Sequence, residues 1–232
     1  MGWLLACQAT VPEKKWTSKS NLREQPVTLT RKGTATRRRI IEGAAEEIRE
    51  RGVTATLDDI RARTGTSKSQ LFHYFPDGRE ELLLAVARHE ADLVLADQQP
   101  QLSDLGSWPA WSAWRDAVLA RYRGQGQCCP LNALLTQLGH TTPGAQAVVT
   151  QLVHRWQAEI ADGIRRLRDA GEVPRELDVD RTAAAILAGI QGGVVMMMST
   201  GDDTHLAAAL DLGIGYLRAS SAVPLRLGTA PV

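Results

Sequence analysis

The sequence predicts an all-α protein with a small three-helix head ahead of a longer helical body, and three observations carry that expectation. Apolar residues recur at three- and four-residue spacing over long stretches, as in Val148, Leu152, Trp156, Ile160, Ile164 and Leu167, which places them on one face of a helix. Gly52, Gly65, Pro76, Pro143 and Gly171 punctuate those stretches where helices start or stop. Between Thr56 and Arg79, two capping-box signals in quick succession (Thr56 with Asp59, Ser67 with Gln70) read as two short helices joined by a tight turn. The expected organisation is an arm over 1–33, a head over 34–78, a body over 79–220 and a flexible tail over 221–232.

The arm mixes Trp3, Pro12, Trp16, Pro26 and scattered lysines without periodicity, the pattern of a loosely held segment. Either translation truly starts near Val27 to Thr30 and the arm is not native, or its lysines follow a DNA backbone or minor groove. Thr36 to Arg51 is the first expected helix, with Ile40, Ile41, Ala44, Ala45 and Ile48 inward and Arg37, Arg38, Glu42, Glu46, Glu47, Arg49 and Glu50 outward. Gly52 ends it. In the second helix Leu57, Ile60 and Ala62 face inward and Gly65 is the stop, while Leu71 and Phe75 form an i,i+4 pair that docks the third helix before Pro76. Asp77, as N-cap with Glu80 following, opens a longer helix to about Asp97.

In the body, Pro100 to Ser107 reads as a loop, followed by a helix carrying Trp108, Trp111, Trp114, Val118, Leu119 and Tyr122. The tryptophans share one face, either as core or as the wall of a ligand pocket. Gly124 to Pro130 is a turn and Leu131 to Leu135 a short helix; Pro143 to Ala170 is a long amphipathic one. Asp178 to Met198 is rich in small residues, and Gly189, Gly192 and Gly193 inside it imply a close approach by another helix or a ligand. Met196, Met197 and Met198 suit an adaptable core or pocket. Asp203 to Arg218 is the last helix.

Composition narrows the function. With a net charge of +1 and a pI of about 7.8, the chain is no polybasic binder as a whole. Its charge is uneven, however: Arg31, Lys32, Arg37, Arg38 and Arg39 precede the helical pair, whereas Asp92, Asp97 and Asp104 follow it, and local basicity beside a short exposed helix is what phosphate contact requires. Cys7, Cys128 and Cys129 cannot build a disulfide framework, which favours a reducing, cytoplasmic setting, and the vicinal pair lacks a neighbouring His or Lys to make it a redox sensor. No run approaches about 18 consecutive apolar residues, so no membrane span is expected. Leu4-Leu5-Ala6-Cys7 resembles a lipoprotein cleavage box but lacks a basic residue before it. The five histidines are scattered and no H-E-x-x-H or nucleophile elbow occurs, so no catalytic residue, metal or cofactor is expected.

The third helix has the shape and chemistry of a major-groove reader. Lys68 and Gln70 offer hydrogen bonds to base edges, and Ser67, His73 and Tyr74 suit phosphate oxygens. The same stretch resembles the DNA-binding signature of the TetR family of transcriptional regulators: Thr56, Ile60, Ala62, Thr64, Gly65, Thr66, Ser67, Leu71, Phe72, Tyr74, Phe75, Glu80, Glu81 and Leu82 match it. Phe72 stands where that family usually has Tyr, and Arg79, after a longer F-P-D-G-R turn, replaces a lysine. That turn and the C-P-L-x-x-L run from Cys129 to Leu134 are similar to the LmrA/YxaF-like subgroup.

The resemblance implies an N-terminal helix-turn-helix DNA-binding domain and a C-terminal helical ligand-binding and dimerisation domain. It implies a homodimer through the last two helices that binds a palindromic double-stranded operator, most often as a repressor, and is released by a small aromatic or hydrophobic effector. The expected DNA-binding residues are Arg37, Thr56, Thr66, Ser67, Lys68, Ser69, Gln70, Phe72, His73, Tyr74 and Arg79; the expected ligand-binding residues are Trp111, Trp114, Leu134, Trp156, Gln191 and Met197. The alternatives are an architectural DNA-binding protein without an effector and an all-helical enzyme.

Overall fold

A computed structural model of the protein describes residues 29–51, 54–125 and 142–221. Within them the chain forms α-helices and no strand: α1 (Arg31–Arg51), α2 (Leu57–Thr64), α3 (Lys68–Tyr74), α4 (Arg79–Ala96), α5 (Trp108–Gln125), α6 (Pro143–Asp169), α7 (Val179–Thr200) and α8 (Thr204–Ser221), with a 3-10 turn at Leu102–Asp104. The expected turn with Cys128 and Cys129, the short helix after it, the Gly52 stop, Cys7 and most of the arm lie outside the described residues.

Helix α1 begins at Arg31 rather than Thr36. The Thr30 hydroxyl accepts the Gly33 N–H at 3.2 Å, a contact of the N-cap kind, so 31–33 belong to the head and not to the arm. The inward set of Ile40, Ile41, Ala44, Ala45 and Ile48 is buried. Glu47, expected outside, is only 3% exposed, because Arg63 of α2 reaches it through Nε at 2.5 Å and Arg51 through Nε at 2.8 Å. Arg63 also pairs with Glu50, and these carboxylates, Glu47 foremost, hold its guanidinium even further above its ordinary value. In α2 it is Thr64 that turns inward and Ala62 that faces water. Thr64 donates to the Ile60 carbonyl at 2.8 Å, and its methyl lies over Gly43, where an added Cβ would sit 2.4 Å away.

Helix α4 starts differently from expectation too. Its N-cap is Gly78, with no side-chain cap, while the Asp77 amide donates to Glu81 Oε2 at 3.1 Å. The helix packs on α1 in the head and on α6 in the body. One apolar core runs from Ile40 and Phe75 through Leu82, Val86, Val94 and the tryptophans to Ile190 and Leu217.

Helices α7 and α8 form the most extensive pair in the fold, with α6 against the other side of α7. Helix α7 is apolar enough and long enough to cross a membrane, at a mean hydropathy of 1.5, although it contains no long unbroken apolar run. Its isoleucine, leucine and valine residues carry that value, and here the helix packs against α6 and α8. Of its three interior glycines, Gly193 is the one the packing requires: an added Cβ would meet the Leu206 Cα at 2.5 Å and its amide nitrogen at 2.9 Å. A Cβ at Gly192 would meet nothing. Backbone cannot yield as a side-chain tip does, so Gly193→Ala is expected to destabilise the protein by about 1–3 kcal/mol through overpacking, measured by chemical denaturation.

Candidate nucleic-acid interface

The head presents α3 outward because its sequence divides cleanly between docking and display. Leu71 and, at its C-cap, Phe75 are fully buried, while Lys68, Ser69, Gln70, Phe72 and His73 are exposed. The turn that sets α3 against α2 begins at Gly65, whose φ of 59° is left-handed, a conformation that costs glycine little and other residues more.

Both predicted capping boxes form. At α2 the Asp59 amide donates to Thr56 Oγ1 at 3.1 Å, and the Thr56 amide and hydroxyl donate to Asp59 Oδ2 at 2.9 and 2.6 Å. The Thr56 hydroxyl and amide, with Arg51 beyond them, hold the Asp59 carboxyl below its ordinary value. This carboxylate therefore contributes stability above the usual carboxylate range, and the contribution is lost as pH falls through its lowered value. At α3 the Gln70 amide donates to Ser67 Oγ at 3.2 Å and the Ser67 amide donates to Gln70 Oε1 at 3.1 Å. Gln70 Oε1 is thereby committed to the helix start, so the side chain shows a groove only its NH2 donors, which match base acceptors such as purine N7 or guanine O6.

The remaining expected contacts sort by what their side chains already do. Lys68 is exposed with no ion pair among the described residues, and Ser69 is exposed with its hydroxyl 3.1 Å from Ser67 Oγ. His73 meets Tyr74 edge-on at 4.9 Å between ring centroids, and Tyr74 is half-buried. Phe72 is 41% exposed, an apolar tip on an otherwise polar surface. Arg37 reaches over from α1, its guanidinium 5.1 Å from the Phe75 ring centroid, which fixes a cation beside α3. Two expectations need correction. Thr66 is 4% exposed, and its hydroxyl lies 2.8 Å from Thr64 Oγ1, so it shapes the turn and does not face a partner. Arg79 is half-buried and donates to the Ala55 carbonyl at 2.5 Å, tying the start of α4 to the segment before α2.

The expected ligand-binding set is split. Trp111 and Trp114 are wholly buried and pack edge to face at 5.6 Å. Their indole N–H groups donate within the protein, to the Leu105 carbonyl at 3.0 Å and to Gln98 Oε1 at 2.9 Å, so both serve as core. Trp156 is 1% exposed with no partner for its Nε1–H among the described residues, and Met197 is buried. Gln191 is exposed: the period of α7 turns Ile190, Val194 and Met197 inward and leaves it on the outer side. Leu134 lies outside the described residues. A groove of about 710 Å³ lies elsewhere, between α7 and α8, lined by Ile186, Gly189, Ala209, Leu212, Gly213 and Tyr216 among others. Leu212 is 75% and Tyr216 54% exposed there, and Val195 and Met196 add apolar surface to α7. The sequence signal for this face is Leu212 and Tyr216, four residues apart and off the Leu210, Ile214 and Leu217 stripe, and neither is in the expected ligand-binding set.

Two family models match the chain: one described as bacterial regulatory proteins, tetR family, over residues 40–86, and one described as a Tetracyclin repressor-like C-terminal domain over residues 110–212. An uncharacterized HTH-type transcriptional regulator from the lacX 3' region of Lactococcus lactis subsp. lactis is 27% identical over 186 residues, covering 76% of this chain and 90% of the relative. A solved TetR transcriptional regulator from Chloroflexus aurantiacus J-10-FL superposes with a TM-score of 0.67 at 25% identity, over 81% of this chain and 96% of that one. SmeT, the repressor of the Stenotrophomonas maltophilia multidrug efflux pump SmeDEF, has been solved in a triclosan complex that shares the fold, with a TM-score of 0.61 at 19% identity over 85% of this chain and 99% of that one.

Removing the α3 cap tests whether the reading surface depends on it. Ser67→Ala is expected to cost about 1 kcal/mol of stability, seen as a lower midpoint in thermal unfolding.

Proposed function

Because the chain belongs to the TetR family of bacterial regulatory proteins, we propose that it is a cytoplasmic repressor that binds a palindromic operator as a homodimer and is released by a small hydrophobic or aromatic molecule. Family membership itself makes it an HTH-type, DNA-binding transcriptional regulator and not an enzyme. The observation that carries the rest is the division of labour on α3: Leu71 is the buried residue of the helix, and the polar side chains stand free beside a basic α1.

Dimerisation through α7 and α8 is supported by the apolar outer face of that pair, which carries four of the exposed large apolar side chains. One reading helix touches too few bases, and two copies about 34 Å apart would meet successive major grooves on one side of the duplex. The effector reading rests on the apolar body and on the orphaned Trp156 donor, since an unpaired buried donor costs about 1–3 kcal/mol and calls for an acceptor. Triclosan, bound by SmeT, is one aromatic compound for a first screen. Placement in the LmrA/YxaF-like subgroup rests on the Phe75 to Arg79 turn and on the C-P-L-x-x-L run.

The test is selection of duplexes from a random library, followed by titration of the selected operator. Wild-type affinity is expected to fall steeply between 50 and 200 mM salt, about tenfold or more for a few phosphate contacts. Lys68→Ala or Gln70→Ala should relax base preference, at a cost of about 1–3 kcal/mol for a lost base contact; unchanged selectivity in both would remove α3 as the reader. Leu212→Glu should place charge on the apolar face, shift the protein to monomer in sedimentation and weaken operator binding.

A further inference from the structure

Helix α4 carries a buried carboxylate that the DNA interface does not use. Glu90 is 3% exposed, and Arg49 of α1 donates to its Oε1 at 3.3 Å. This is a contact between head and body by side chains that are distant in sequence. Burial raises the Glu90 carboxyl above its ordinary value, with the positive fields of Arg49, His89 and Arg121 opposing that rise. Arg121, on α5, lies along the same face of α4, its side chain 6% exposed: it pairs with Asp97 and donates to the Leu93 carbonyl at 3.3 Å. Its Nε–H is buried and has no partner among the described residues. Glu90, Leu93 and Asp97 are spaced three and four apart, so they form one strip along α4.

From this arrangement we propose that Glu90 is a positioning residue for the DNA-binding head, shared in alternation by Arg49 of the head and Arg121 of the body. With Arg121 drawn to Asp97, Glu90 holds Arg49 and fixes the angle of α1 on α4. A shift of α5 that swings Arg121 one turn along the strip gives Glu90 to the body and frees the head. The spare Nε–H makes that second arrangement accessible, because Arg121 gains a partner for it there. Two discrete pairings of one buried carboxylate make a two-state element that an occupant of the body would bias. Occupancy of the body is the reading given above, and this inference rests on it.

The experiment measures affinity for the selected operator and for versions with one or two base pairs inserted between the half-sites. The proteins are wild type, Arg49→Gln, Glu90→Gln, the Arg49→Gln/Glu90→Gln double variant and Arg121→Gln, each checked for folding by circular dichroism and thermal unfolding. A residue that only stabilised the fold would change all affinities in parallel. A positioning residue changes the preference among spacings. The expected result is that Arg49→Gln and Glu90→Gln each lose about tenfold in spacing discrimination, and that the double variant loses no more than either, because the two residues act as one pair. Arg121→Gln removes the rival and is expected to sharpen the discrimination; should it misfold, Asp97→Asn, which sends Arg121 towards Glu90, is expected to relax it instead. Unchanged spacing preference in Arg49→Gln and Glu90→Gln, or additive losses in the double variant, would overturn the proposal. Failure of wild type to bind duplex DNA, or to discriminate spacing at all, would overturn the operator-binding dimer itself, a result that the variants cannot imitate.

Discussion

Everything the head can do is constrained by the burial of α4. Leu82, Leu83, Ala85, Val86, Ala87, Glu90, Ala91, Val94 and Leu95 are all buried, which exceeds the stripe of an ordinary surface helix and leaves α4 few residues for water. Its N-terminal half closes the core with Ile40 and Phe75, and its C-terminal half joins the core with the tryptophans. Close-packed interiors shift between discrete arrangements more readily than they deform continuously. Head and body are thus joined by a helix that one continuous core grips along its length.

Helix positions were legible from the sequence where periodicity and capping spoke together. The boxes at Thr56 and Ser67 gave the turn of the head its register, and the spacing from Val148 to Leu167 gave α6 its buried face, because these signals depend on a few adjacent residues. What escaped was decided by partners far away in sequence. Glu47 looks like any outward glutamate of α1 until Arg63 arrives from α2, and Thr66 looks like a turn hydroxyl open to phosphate until Thr64 takes it up. Asp77 has the chemistry of an N-cap, yet the backbone at Gly78, with φ of 69°, places the helix start one residue later.

The layout of α3 was more legible than the gaps of the body. An exposed short helix is specified by a local pattern, two docking residues among polar ones, and the burial along α3 follows it. A chamber for an effector is a property of the gaps between helices, and neither spacing nor composition locates gaps. Tryptophans satisfy core and pocket alike at the level of sequence; hydrogen bonding separated them here, since Trp111 and Trp114 spend their N–H groups within the protein and Trp156 does not.

The double duty of Gln70 restricts how this regulator could acquire new targets. Its carbonyl oxygen closes the start of α3 while its amide faces outward, so a substitution that alters recognition there also frays the helix that presents the neighbouring side chains. Glutamate, or aspartate as at Asp59 in the first box, would keep the closure, and either would bring a negative charge to a polyanion. Divergence among descendants of this sequence should therefore accumulate first at Lys68 and His73, whose side chains take no part in the helix start, leaving position 70 as the slow-changing letter of the exposed face of α3.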